Sequence, residues 1–384
     1  MVDNSACPFH AGSMITNPKY FVGRDEALRY IATRMESDQP TSVNIVGEHR
    51  MGKSSLLYRF YQIWNPQQFS PRADSKKSWW SRRDKRTIGK DTKPYVVVYV
   101  DLQTCECQQE VGFYQAIATA LQKHPKIQKQ RQLKSSFKPQ RWDRQTFSDA
   151  IKDCKAKGLL VVLCLDKFDG LFQYPEEFDN GFYDSLHSLM NHNQLMLVIA
   201  TLESIKIYRD QKKLTSSFFN VGHNHFLKEL TEPEANILVS LPQNETSALS
   251  LEKQKMALDW GRNHPYLLQL AGQYLWEAKQ FDRPLGWAKE QFDRQAQSCM
   301  QPAPISALVK ENWCSVLVTL RKQLLRGCAG IGKLTRDIGS GSSEFGYVVI
   351  GLFVLSAFVA VVMGNLTPQE FFNWFLRLIQ DLLS

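Results

Sequence analysis

The chain reads as an α/β protein, a parallel sheet flanked by helices, on three observations. First, Tyr95–Val100, Leu159–Leu165 and Leu195–Ala200 are almost unbroken runs of apolar and aromatic residues. Strands buried on both faces look like this, because neither face needs a polar residue. Second, a shorter run, Val43–Val46, enters a turn bounded by glycines and then an amphipathic stretch carrying Leu56, Leu57, Phe60 and Tyr61. Third, helical spacing fills the gaps between the apolar runs, at Val111–Leu121 and at Thr146–Lys157, the latter ended by Gly158. Strands alternating with helices predict a parallel sheet.

Bulk properties narrow the class. A chain of 384 residues accommodates two or three domains. A hydrophobic fraction of 43% with 22% charged residues is globular and argues against a disordered or fibrous chain. The formal charge of +9 favours an anionic partner: a nucleotide, a nucleic acid or a lipid surface. The eight cysteines are scattered, and Cys164 and Cys314 sit in apolar runs, which suits reduced, buried thiols in the cytosol. Cys105 and Cys107 lack a second pair at zinc-site spacing. Met1–Ala11 has no apolar core, so no secretory signal is expected there.

The turn after Val46 carries the chemistry. It reads Gly47-Glu48-His49-Arg50-Met51-Gly52-Lys53-Ser54-Ser55, two glycines separated by four residues and followed by Lys and Ser. Glycines at those points let the backbone curl, so that successive N–H groups from Gly47 to Ser55 aim inward at phosphate oxygens. Lys53 adds a charge for the β- and γ-phosphates, and the Ser54 hydroxyl is a Mg²⁺ ligand. Placed between a strand and a helix, this pattern predicts nucleotide binding.

In chain order, 1–17 reads as an irregular start and 18–230 as the nucleotide-binding core. Asn17–Glu26 leads into a helix through about Met35, with Asp25 and Glu26 favoured at its start by the dipole. Arg24 is placed to touch the nucleotide, and equally suits a solvated position before a helix. The stretch 65–94 is a basic insertion in which Trp79 and Trp80 lie among Lys and Arg. It suits base stacking, anionic lipid or plain solvation. Lys123–Arg144 is a second basic segment.

Leu159–Asp166 is a buried strand that delivers a carboxylate at its C-terminal end, the Walker B arrangement, where Asp166 faces Ser54 across Mg²⁺. The next position usually holds a Glu that polarises the attacking water. Here it is Lys167, so hydrolysis is expected to be slow or absent, with Asp169 as the substitute carboxylate. A strand Leu195–Thr201, inserted between the loop strand and the Walker B strand, places Thr201 either as a γ-phosphate sensor or as a strand-end cap. Phe226–Leu230 reads as the last strand, with His223 and His225 just before it.

Thr231-Glu232-Pro233-Glu234 is a capping box with proline in the first turn. Helical spacing then continues, so 231–325 is expected to be a helical lid domain containing Asn263-His264-Pro265. Residues 326–344 form a linker with Gly-Ser-Gly-Ser-Ser. The stretch 345–366 carries no charge and is long enough to cross a bilayer. Arg326, Lys333 and Arg336 before it, against Arg377 after it, keep the N-terminal part in the cytoplasm. In the tail, 367–384, Phe371, Phe372, Phe375, Leu378, Ile379 and Leu382 share one helical face.

Four motifs together resemble the phosphate-loop (P-loop NTPase) ATPases of AAA-like and STAND type found in bacterial genomes, over about Asn17–Lys279. They are Phe-Val-Gly-Arg-Asp-Glu at Phe21–Glu26, the loop at Val46–Leu57, Leu-Asp-Lys-Phe-Asp at Leu165–Asp169, and His-Pro-Tyr-Leu-Leu-Gln at His264–Gln269. The resemblance implies ATP and Mg²⁺, with Lys53 and Ser54 as phosphate and metal ligands, Asp166 as the Walker B acid and Pro265 as the lid proline contacting the nucleotide. Asn263 stands where glycine is common in that family. It also implies an ATP/ADP switch that oligomerises with its own copies. Repeat sensors and enzymatic effectors, common in the family, are not seen. The expectation is a single-pass membrane-anchored ATP switch. Its rivals are a DNA-binding regulatory ATPase, motivated by the basic segments, and a non-hydrolytic scaffold stabilised by nucleotide.

Overall fold

The structure is a computed structural model that describes residues 6–65, 94–139, 141–220, 222–243 and 246–300. Nearly all of the insertion 65–94, the last part of the expected lid domain, 301–325, the linker 326–344, the apolar segment 345–366 and the tail 367–384 lie outside the described residues. Residues up to Phe292 form one compact unit.

Five parallel strands make the central sheet: β1 (Val43–Val46), β2 (Tyr95–Asp101), β3 (Leu160–Asp166), β4 (Leu195–Thr201) and β5 (His223–Phe226), in the order β2-β3-β4-β1-β5. β4 pairs with β1 on one side and β3 on the other, so it lies between the loop strand and the strand ending in Asp166. The last strand starts three residues earlier than its sequence suggests. His223 and His225 lie inside it, on a sheet edge where polar residues are tolerated, and Leu227–Leu230 continues as loop.

Alternation along each strand sorts the side chains. Val161, Leu163 and Leu165 of β3 join Leu195, Leu197 and Ile199 of β4 and Val96, Val98 and Val100 of β2 in the core on one face. Leu160, Val162 and Cys164, with Met196, Val198 and Ala200 and with Val43 and Ile45, face the other way. Helices α1 (Asp25–Met35) and α2 (Lys53–Trp64) cover this second face through Leu28, Ile31, Met35, Leu56, Leu57 and Phe60. The first face is covered by α3 (Glu110–Lys123), two short helices α4 (Pro125–Gln128) and α5 (Arg131–Ser136), α6 (Arg144–Ala156) and α7 (Asn180–Asn191). Its core is aromatic, with Tyr114 stacked on Phe147 at 4.7 Å and Phe113 edge-on to Phe182 at 5.1 Å.

The second basic segment is more than a charged stretch. Ile127, Leu133, Phe137 and Trp142 are buried in the first core, while Lys129, Arg131, Lys134, Lys138 and Arg141 stay exposed. Arg144, at its end, is structural. Its guanidinium donates to Glu110 at 2.7 and 2.8 Å and to Asp179 at 2.8 Å, joining the starts of α3, α6 and α7.

After β4 come α8 (Ile205–Lys212) and the edge strand, then α9 (Glu232–Val239), α10 (Leu251–Gly261), α11 (Pro265–Gln280) and α12 (Leu285–Met300). Thr231 and Glu234 close the expected capping box. A two-residue hairpin, Pro242–Gln243 against Thr246–Ser247, interrupts the helical run. Among the described residues no helix is long and apolar enough to cross a membrane.

The packing of the basic segment gives a stability prediction. Leu133→Ala should destabilise the protein by about 2–5 kcal/mol, as for a fully buried leucine, whereas the adjacent Lys134→Ala should stay within about 0.5 kcal/mol. Chemical denaturation of the two variants measures this. Equal, small effects would mean that the segment is not anchored in the core.

Candidate functional site

The cleft opens at the C-terminal ends of the strands, the end at which parallel α/β sheets place their ligands. Its floor is the loop between β1 and α2. Arg50 and Gly52 adopt the left-handed conformation there, with φ of 63° and 88°. Gly52 precedes the first residue of α2, so the helix starts directly beneath the loop and directs its free N–H groups and positive dipole end upward. Lys53 Nζ donates to the carbonyls of Gly47 at 2.6 Å and Glu48 at 2.7 Å. Burial lowers its pKa, while Asp169, Asp166 and Glu48 act against that shift.

Strand alternation brings Tyr99, Asp101 and Asp166 to the face covered by α2. Asp166 is 2% exposed and both its oxygens are engaged: Tyr99 Oη donates to Oδ2 at 2.9 Å and the Lys167 amide donates to Oδ1 at 3.0 Å. Burial and the Asp166 charge raise the Tyr99 pKa, so its proton stays in place. Asp169 lines the cleft, and burial raises its pKa against the pull of Lys53 and His49. Lys167 is left-handed, with φ of 55°, and turns its ammonium to Gln103 Oε1 and, at 3.5 Å, to Asp101 Oδ2.

The same alternation takes Thr201 away. Side chains at 196, 198 and 200 face α2, so that of 201 faces the opposite side. Its hydroxyl is fully buried, contacts Asn44 Oδ1 at 2.9 Å and donates to the Glu203 carbonyl at 2.6 Å. The inserted strand is present, and the hydroxyl of its last residue is engaged at the strand end, on the face away from α2. Ala200 of β4 and Leu202 just after it line the cleft.

Of the other expected residues, His49, Arg50, Met51, Gly52, Ser54, Ser55, Arg24 and Pro265 line the cleft of about 530 Å³ with Lys53, Asp166 and Asp169. Gly47 and Glu48 are not among the lining residues; their carbonyls accept from Lys53. Arg24 braces the loop: its guanidinium donates to the carbonyls of Met51 at 3.0 Å and Lys228 at 2.5 Å, and its amide donates to Glu234 at 2.7 Å. The wall opposite the sheet is α11. Pro265 starts it, and Arg50 lies over the Tyr266 ring at 4.1 Å, a cation–π contact between loop and helix.

Sequence reasoning missed the third wall. Residues 7–16, expected to be irregular, cross from α11 to α2. Phe9 is buried against α11 so closely that a Cβ at Gly272 would lie 2.5 Å from its ring. The His10 amide donates to the buried Gln269 side chain at 2.9 Å. The Ile15 amide donates to Ser55 Oγ at 3.0 Å, and Gln62 donates to the Thr16 carbonyl at 2.7 Å. Met14 Sδ lies 3.4 Å from Tyr99 Oη. Ser55 is therefore engaged by this strap, while Ser54 faces the cleft. No periodicity marks the ten strap residues in the sequence.

Among the described residues no group of three or more His, Cys, Asp and Glu forms a metal cage. Ser54 and Asp166 supply one hydroxyl and one carboxylate, the small donor set suited to Mg²⁺ shared with phosphates. Cys105 is exposed and Cys107 buried, accepting from Thr104 at 3.3 Å.

No family model and no curated protein matches the sequence. Among solved structures, the chain is similar to a Walker-type ATPase of Pyrococcus abyssi, at 13% identity over 82% of this chain and 80% of that one, with a TM-score of 0.48. It is similar to the ORC2 protein of Aeropyrum pernix in its ADPNP–ADP complexes, at 12% identity over 92% and 90%, TM-score 0.48. Cdc6p from Pyrobaculum aerophilum follows at 13% identity over 72% and 66%, TM-score 0.43. Likenesses this distant identify no family.

Gly272→Val should expel Phe9 and loosen the strap. The His10 and Ile15 amides should then exchange with solvent about tenfold faster, about 1.4 kcal/mol of local stability, while the sheet amides keep their protection. Unchanged exchange at both amides would show that Phe9 does not anchor the strap.

Proposed function

We propose that the chain is a membrane-anchored ATP-dependent switch of the AAA-like/STAND type, slow in hydrolysis. The observation that carries this is the convergence of Lys53, Ser54 and Asp166 with the α2 amides in a cleft whose other walls, α11 and the strap, are separate elements. The loop amides and Lys53 hold the triphosphate, and Ser54 and Asp166 hold Mg²⁺, which neutralises phosphate charge when bound. Tyr20, Phe21 and Val22 line the same cleft and give a base an apolar surface. Adenine is preferred because no guanine-reading Asn-Lys-x-Asp run occurs. Arg50 is the link between phosphate and lid. It sits in the loop and stacks on Tyr266, so a change of phosphate state bears directly on the position of α11. Two switches of this kind pair through their own copies.

The anchor is read from sequence: 345–366 is uncharged and of membrane-spanning length, and the positive charges precede it. On this reading the nucleotide cleft lies on the cytoplasmic side. Lys167 in place of glutamate supports slow turnover, with ATP and ADP as the two states.

A second reading, a regulatory ATPase that also binds nucleic acid, is favoured by one observation. Lys129, Arg131, Lys134, Lys138 and Arg141 stand exposed on a scaffold fixed by four buried apolar residues. The scaffold adjoins the start of β2, where Lys126 Nζ donates to the Tyr95 carbonyl at 2.6 Å, at the sheet end away from the cleft. A phosphate backbone there would leave the cleft accessible.

Titration with Mg-ATP tests the first reading. Lys53→Ala should weaken binding by about 10- to 100-fold, the worth of charged hydrogen bonds to phosphate. Wild-type affinity in this variant would refute the assignment. Fractionation tests the anchor: full-length chain should need detergent, and a version ending at Ser340 should not. For the second reading, duplex affinity should fall with salt at a log–log slope of about −0.9 per phosphate contacted, and Lys129→Glu with Lys134→Glu should abolish it. Salt-independent binding would exclude this surface.

A further inference from the structure

Hydrolysis of a bound triphosphate needs a group that orients the attacking water and takes its proton. The position after Asp166 lacks the expected carboxylate. Asp166 itself is committed, with one oxygen on Tyr99 and the other on the Lys167 amide. Asp169 lies in the field of Lys53, the group that serves the phosphates. The side chain left over is Asp101.

Asp101 ends β2 and is the direct cross-strand partner of Asp166. Alternation puts the two carboxylates on the same face, and both line the cleft. Oδ1 of Asp101 accepts from the Gln103 amide at 3.0 Å, which fixes the carboxylate. Its Oδ2 lies 3.5 Å from Lys167 Nζ. The lysine that replaces the glutamate thus sits on a cleft carboxylate in the register of Asp166. Both side chains are about two-fifths exposed, at 43% and 41%, and an ion pair this open is weak and separates readily.

We propose that Asp101 is the water-orienting carboxylate of this cleft and that Lys167 keeps it paired, holding the protein in a slow-turnover state. The proposal rests on the nucleotide reading above. When the pair opens, Asp101 accepts a proton from water. The water oxygen bonds to the γ-phosphorus, the bond from that phosphorus to the bridging oxygen breaks, and the electron pair leaves with ADP. Any contact that draws the Lys167 ammonium away, such as an acidic side chain of a second copy or partner, would raise the rate.

The test uses the full-length chain in detergent, with Mg-ATP affinity and turnover measured on each variant. Lys167→Met, which keeps length and removes charge, should bind Mg-ATP as the wild type does and turn over about two- to fivefold faster, the range an exposed ion pair can supply. Adding Asp101→Asn should return the rate to the wild-type level with affinity unchanged, and Asp101→Glu in place of Asn should retain part of the gain. Lys167→Gln checks that the effect does not depend on methionine, and unfolding curves check that each variant is folded. A raised rate that survives Asp101→Asn overturns the proposal, as does a Lys167→Met protein that binds normally and turns over no faster. Failure of the wild type to bind Mg-ATP sinks the nucleotide reading, and this proposal with it.

Discussion

Successive side chains of a strand point to opposite faces of its sheet, and here that alternation decides which groups meet. The strands are buried on both sides, so register and parity are fixed by packing: a one-residue slip would exchange the core around Phe113 and Phe182 for the one around Leu56 and Phe60. Once parity is set, Tyr99, Asp101 and Asp166 emerge over α2, and Thr201 emerges over Asn44. The composition of the cleft is thus a consequence of hydrophobic packing several residues below it. Asp166 is almost fully buried, and Tyr99, from the neighbouring strand and of the same parity, supplies the hydrogen bond that burial demands.

The cleft walls are joined by contacts that cross between distant parts of the chain. Arg24 ties the approach to α1 to the loop at Met51 and, through its amide, to the start of α9. Arg50 ties the loop to α11. The strap ties α11 to α2 at two places each, Phe9 and His10 on one side and Ile15 and Thr16 on the other. Each contact is modest alone. Together they leave α11 no route to move relative to the loop without stretching the strap or breaking the Arg50–Tyr266 stack, which is what coupling through a contiguous network requires.

Much of this was legible in the sequence, for physical reasons. The double-sided strands announced themselves because burial on both faces removes polar residues, and the capping box at Thr231 because orphan N–H groups need acceptors. Lys53, Ser54 and Asp166 were legible as a set because loop spacing and strand-end position fix them locally. The face taken by Thr201 was not legible, because it depends on parity relative to a neighbouring strand, which a run of uniformly apolar residues does not display. β5 misled because an edge strand tolerates His-Asn-His, leaving no apolar signature. The strap was silent: its order comes from long-range contacts, and an extended segment without repeats carries no periodicity. Asp101 directly follows the apolar run Tyr95–Val100, and only the pairing of β2 with β3 puts it beside Asp166.

The electrostatics of the cleft bear on how an anion would act there. Lys53 donates to the carbonyls of its own loop, so taking up a phosphate is an exchange of acceptors, neutral carbonyls for charged oxygens. The gain is the difference between the two, enlarged because burial has already removed much of the water around the ammonium. The carbonyls that Lys53 releases belong to Gly47 and Glu48, at the root of the loop, while Arg50 at its tip holds Tyr266. An exchange at the root therefore strains a loop whose tip is fastened to α11. A phosphate bound there would thus be linked to helix position through the four residues Gly47–Arg50, with no need for the ligand to touch the lid.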